Sequence, residues 1–222
     1  MKILFALLML YGGIVSAQSQ SNASSPVLFK EFLFNMPVTD FTEAAGYFDC
    51  SEDFGGLARC LDEIDFLEEK LALALRFNDK RLASVLLVSE FGEKIYAKVF
   101  GALSKNFTLV MMRGKNDALD LIALEKKSSD RKAFAADITE YETLHLRSGH
   151  LSYIFIEETP QAIRKAQTAF EAEANAPEHA RKVEMKAIEE DGEAFLIVEF
   201  SLPRLNQKRM QETMKNIKSE KF

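Results

Sequence analysis

Residues 183–200 read VEMKAIEEDGEAFLIVEF, two alternating runs on either side of Asp191-Gly192. Asp-Gly is a strong signal for a two-residue type I′ hairpin turn, since glycine takes a positive φ at no steric cost. Counting outward pairs Ala187 with Leu196, Met185 with Val198 and Val183 with Phe200, so all six share one face. The opposite face carries Glu184, Lys186, Ile188, Phe195, Ile197 and Glu199, with Ile188 across from Phe195 and Ile197 diagonal to both. An apolar trio on a charged face is either covered by another element or is a contact surface. A helical reading of Ala180–Glu190 stays open beside the hairpin.

From Leu202 onward the chain reads as a C-terminal helix. Pro203–Phe222 holds six basic and two acidic residues, in a chain whose net charge is −6. Its apolar stripe is narrow: Leu205, Met210, Met214 and Ile217. Met210, Met214 and Ile217 are expected to cover the Ile188, Phe195 and Ile197 trio, as an adaptable lid that yields to a partner. Helix and hairpin together are thus the expected partner-binding edge. Docking of the basic segment on an anionic partner or membrane surface ranks behind its resting on the acidic body of its own domain.

The same plan, a hairpin followed by a helix, is expected twice more upstream. Leu71, Leu73, Leu75 and Phe77 alternate, Asn78-Asp79-Lys80 turns, and Leu82–Val88 returns. Ile95, Val99 and Leu103 then recur at helical spacing, widened by Tyr96 and Phe100. Thr143–Arg147 and His150–Ile156 flank Ser148-Gly149 as a second hairpin, and Thr159-Pro160 opens a helix running to about Ala174. Val27–Phe34 and Thr108–Met112 read as strands. A capping box at Asp40-Phe41-Thr42-Glu43 starts a short helix, another helix runs from Gly56 into Glu68-Glu69, and Asn116 caps a helix to Lys127. The fold class is α+β, with helices packed on one face of an antiparallel sheet. Residues 27–222 are expected to form one domain, or two small subdomains meeting near residues 115–135.

At the N-terminus Lys2, an uncharged run from Ile3 to Val15, and Ser16-Ala17 before Gln18 make a secretory signal peptide over residues 1–17. The run is too short to span a bilayer, which takes about 20 residues. Residues 18–26 form a polar leader. In an oxidising compartment Cys50 and Cys60, the only cysteines, are expected to pair.

The chemistry on offer is thin. No nucleophile elbow, zinc-protease motif or phosphate loop is present, and no cofactor is expected. In the hairpin reading His145 and His150 share a face with Arg147 between them, a weak metal candidate. The acidic balance argues against nucleic acid as a partner. The expected function is non-catalytic binding of a protein partner in the bacterial periplasm or the secreted fraction. A hydrolase-like enzyme of unrecognised type is the alternative.

Overall fold

The computed structural model describes residues 25–216. The expected signal peptide, most of the leader, and Ile217 therefore lie outside the described residues. A small hairpin, β1 (Val27–Phe29) and β2 (Phe32–Leu33), comes first, where one continuous strand was expected. It folds back because Lys30 takes a φ of 45°, which puts Leu28, Phe29, Phe32 and Phe34 all into the core. The anticipated capping box gives only short 3₁₀ turns at Val38–Asp40 and Glu43–Ala45, and Thr42 makes no side-chain cap.

Nine strands form an antiparallel sheet. They are β3 (Phe48–Asp49), β4 (Ala58–Phe66), β5 (Glu69–Asn78), β6 (Arg81–Glu90), β7 (Thr108–Arg113), β8 (Ala118–Asp120), β9 (His150–Ile156), β10 (Lys182–Glu190) and β11 (Glu193–Ser201). Their spatial order is β3-β4-β5-β6-β11-β10-β9-β7-β8. The β10–β11 hairpin has the register counted from Asp191-Gly192, down to Ile188 opposite Phe195. Asp191 and Gly192 both have positive φ, 53° and 84°, as a type I′ turn demands. This hairpin sits in the middle, with β11 bonded to β6 and β10 to β9.

The helices are α1 (Glu93–Asn106), α2 (Leu121–Lys127), α3 (Arg131–Arg147), α4 (Pro160–Ile163), α5 (Ala169–Asn175) and α6 (Pro203–Asn216). The antiparallel pairs β5–β6, β7–β8 and β10–β11 are each followed by a helix, but the unit expected from Thr143 to about Ala174 is absent. Thr143–Arg147 is the end of α3, not a strand. Asp130 caps that helix by accepting from the Lys132 and Ala133 amides, and Phe134, Ile138, Tyr141 and His145 form its inward stripe. Ser148-Gly149 ends the helix instead of turning a hairpin. Gly149 takes a φ of 70° and donates its N–H to the Leu146 carbonyl.

Residues 58–66, expected as helix, are strand β4. Its alternation is broken by a bulge between Leu61 and Ile64, and it turns into β5 through Leu67-Glu68, both at positive φ. The helix expected from Asn116 instead begins after β8, where Asp120 accepts from the Ile122 and Ala123 amides. Thr159 and Pro160 do open a helix, yet α4 stops at Ile163 and a second helix starts at the Thr168 cap.

One sheet face is fully covered. Leu73, Leu75, Leu87, Val183, Met185, Leu196, Val198 and Phe155 are all essentially inaccessible there. Val99 and Leu103 of α1, with Phe32, Phe34 and Phe41 of the N-terminal segment, close over them. Burial of each such side chain is worth about 1.5–3 kcal/mol. On the other face α4 and α5 cover only the β7–β9 edge, packing Ile163, Ala166, Ala169 and Ala172 on Val110, Ile154 and Ile156. Helices therefore occupy both faces, not one as expected. Arg181 forks onto Glu157 and lies 5.2 Å from the Phe107 ring, tying the end of β9 to the start of β10.

The helical reading of 131–147 has a direct check. Leu144 is 60% exposed and Leu196 fully buried. In urea unfolding, Leu144→Ala is expected to change stability by under about 0.5 kcal/mol, and Leu196→Ala to lower it by about 2–5 kcal/mol. Burial alone would raise the Glu157 carboxyl, but hydrogen bonds and charge from Arg181 hold it below its usual value. A lowered carboxyl stabilises the fold above its unfolded pKa, and that contribution fades as pH falls through the folded value. Glu157→Gln should thus destabilise at pH 7, with the gap from the parent protein closing below about pH 4.

Candidate functional site

The incompletely covered face carries the site. Because register is known strand by strand, its side chains can be followed in rows across the sheet. One row runs His150, Ile188, Phe195, Glu90. The next runs Arg113, Ser152, Lys186, Ile197, Val88, Ala72. The third runs Ile154, Glu184, Glu199, Leu86, Ala74, Cys60. The fourth runs Ile156, Lys182, Ser201, Ser84, Arg76, Ala58. The face is apolar near the Asp191-Gly192 turn and charged near α6.

At the apolar end, Ile188, Phe195 and Ile197 adjoin as counted from the sequence, and Val88 extends them. All four are half-buried, and none packs against either buried cluster. Met210 and Met214 do not join them. Helix α6 leaves from the opposite end of the hairpin and runs away from it. Its Asn206 donates to the Ala83 carbonyl, and Thr213 donates to Asp79 at the far turn. Met210 and Met214 are 56% and 68% exposed on its outer side. Three of the four basic residues of α6 are engaged within the chain: Lys208 pairs with Glu178 at 2.8 Å, Arg204 donates to the Ala176 carbonyl, and Arg209 lies over Phe34.

At the charged end, Glu184 and Glu199 face each other among Arg113, Lys186 and Arg76 at 3.5–3.7 Å. Of these groups Glu184, Glu199 and Arg76 border a pocket of about 430 Å³ between the first turn of α6 and the Gly55–Leu57 loop. That loop lies inside the ring closed by the Cys50–Cys60 disulfide, whose Cα atoms are 5.9 Å apart.

The histidines are separated by the helix that replaces the expected strand. His150 stays on β9 opposite Ile188. His145 is buried on α3, its ring 4.2 Å from that of Tyr141, with Nε2 at 3.3 Å from Asp117 Oδ1 but off the line of a hydrogen bond. Tyr141 donates to Asp117 and accepts from the Gly114 amide. A Cβ at Gly114 would lie 2.3 Å from the imidazole, so backbone closes over the ring. Burial first, then Asp117, pushes the Tyr141 hydroxyl up to about 12. Among the described residues no group of three or more His, Cys, Asp or Glu is placed to hold a metal ion.

A second polar network lies in the covered core. Tyr153 donates to Glu142 and shares a hydrogen bond with Tyr96, which also reaches Glu142 at 3.2 Å. Burial first, then hydrogen bonding to the carboxylate, pushes the Tyr153 hydroxyl far above its usual value. Read from sequence, both tyrosines belong to apolar stripes; the only signal was that a buried Tyr hydroxyl needs a partner.

No family model matches the chain, and neither a curated protein nor a solved structure matches it. Tyr153→Phe removes one of the two tyrosine hydroxyls that donate to Glu142. It is expected to lower stability by about 1–3 kcal/mol in denaturant titration.

Proposed function

We propose that the chain is an exported, non-catalytic binding protein that presents the open sheet face around Ile188, Phe195, Ile197 and Val88 to a protein partner of the cell envelope. One observation carries this reading: these four side chains adjoin on the part of the face that α4 and α5 leave uncovered, and they contribute to neither buried cluster. Aromatic and β-branched residues ringed by charges such as Lys186 and Glu90 match the apolar-centre, polar-rim pattern of protein interfaces. Export is supported by the N-terminal run in the sequence and by the formed disulfide. No described helix is long and apolar enough to cross a membrane. The enzyme alternative gains no support from the His145, Asp117 and Tyr141 cluster, since Gly114 closes over the imidazole.

A photo-crosslinking residue at position 195, in envelope extract of the source cells, tests the placement. Position 94 is the control, since Lys94 is 79% exposed on α1, which packs on the opposite face. A discrete protein adduct from 195, absent from 94 and lost with Ile197→Glu, is expected. Equal labelling from both positions overturns the reading.

A further inference from the structure

The pocket at the charged end of the open face is built from groups whose bonding capacity is only partly used. Glu184 and Glu199 are directly opposed partners whose side chains are only 19% and 17% exposed. Like charges so placed repel and lose hydration, which is costly unless donors compensate. The donors supplied are distant: Lys186 and Arg113 reach Glu184 at 3.7 and 3.6 Å, and Lys186 and Arg76 reach Glu199 at 3.6 and 3.5 Å. Among the described residues Glu184 accepts no hydrogen bond, and Glu199 accepts a single long one from Arg76. A carboxylate offers about four acceptor positions, and an ammonium offers three donors.

One row along the strands, about 6.5–7 Å away, the pocket changes sign. Lys182, whose ammonium already reaches both Glu173 carboxylate oxygens at 3.3 Å, lies side by side with Ser201, Ser84 and Arg76 across four strands. Ser84 is 5% exposed, lines the pocket, and its hydroxyl has no hydrogen-bond partner among the described residues. The Ser201 hydroxyl reaches the Lys182 carbonyl only at 3.5 Å. Pro203, the first residue of α6, borders the same space, so the positive end of a fourteen-residue helix lies beside it.

We propose that this pocket binds a small zwitterion of the free amino-acid or dipeptide class, its ammonium on Glu184 and Glu199 and its carboxylate on Ser84, Arg76 and Lys182. Two acidic and two basic side chains frame the cavity, which favours a ligand of zero net charge with separated poles. A simple anion meets the carboxylate pair, and a simple cation meets Lys182 and Arg76. The volume of about 430 Å³ suits a ligand of this size. The pocket does not depend on the protein partner proposed for the apolar end, and its variants leave Phe195 untouched.

Isothermal titration of the disulfide-bonded protein with L-alanyl-L-alanine tests the assignment, alongside its N-acetyl derivative, its C-terminal amide, inorganic phosphate and putrescine. Saturable binding of the free dipeptide is expected, weakened at least about ten-fold by either blocking group. Glu184→Gln and Ser84→Ala should each weaken it by about five-fold or more, with unfolding midpoints near that of the parent protein. The proposal is overturned if either blocked dipeptide binds as well as the free one. Tighter binding of phosphate or putrescine overturns it too, as does absence of dipeptide binding up to about 10 mM. The blocked dipeptides need no variant, so the outcome does not hinge on how the substitutions fold.

Discussion

The structure depends on the register of the β10–β11 hairpin. Val183, Met185, Leu196, Val198 and Phe200 are all buried on one side of it, and its two outer edges bond to β6 and β9. A slip of one residue would exchange this set for Glu184, Lys186 and Glu199, burying charge under α1 and exposing the core. Because β6 and β9 meet only through this hairpin, the same slip would misalign both halves of the sheet. The Asp191-Gly192 turn fixes the count, and alternation on both strands reinforces it.

Where local and global signals agreed, the fold was legible in the sequence; where one side chain interrupted the period, it was not. The β10–β11 hairpin has unbroken alternation around its turn, and β5 keeps Leu71, Leu73, Leu75 and Phe77 in phase although its pairing with β6 shifts between Arg76 and Phe77. Strand β4 does not: its bulge shifts Ile64 and Phe66 out of phase with Leu61, and Leu67-Glu68 has no glycine or asparagine to mark a turn. Helix α3 was hidden for a different reason. Leu144 and Leu146 mimic a strand when read toward Leu151 and Tyr153 across Ser148-Gly149. The true stripe of Phe134, Ile138, Tyr141 and His145 is polar-tipped at its last two positions and starts at an aspartate cap rather than a Ser or Thr box.

The candidate site divides along the same line. Ile188, Phe195 and Ile197 could be placed because strand alternation assigns faces. Their charged neighbours Glu184, Lys186 and Glu199 came with them. Arg76, Ser84 and Arg113 come from strands whose adjacency no short-range pattern specifies, so the pocket emerges only from the tertiary order. The lid expected from Met210 and Met214 failed on direction. Leaving the hairpin at Leu202, α6 is drawn toward Asn35, Ala83 and Asp79, where Arg209, Asn206 and Thr213 find partners.

Among the described residues the last two strands form the middle of the sheet, with earlier strands on either side. Closing β6 against β11 joins residues more than a hundred positions apart, so the most stabilising contacts arrive last. During synthesis, β7 to β9 lack a neighbour along one long edge until β10 has emerged, and β4 to β6 until β11 has. Such a chain stays incompletely folded for most of its time on the ribosome and exposes unpaired edges throughout. Under the export proposed above, late completion suits a chain that is threaded through a narrow channel before folding.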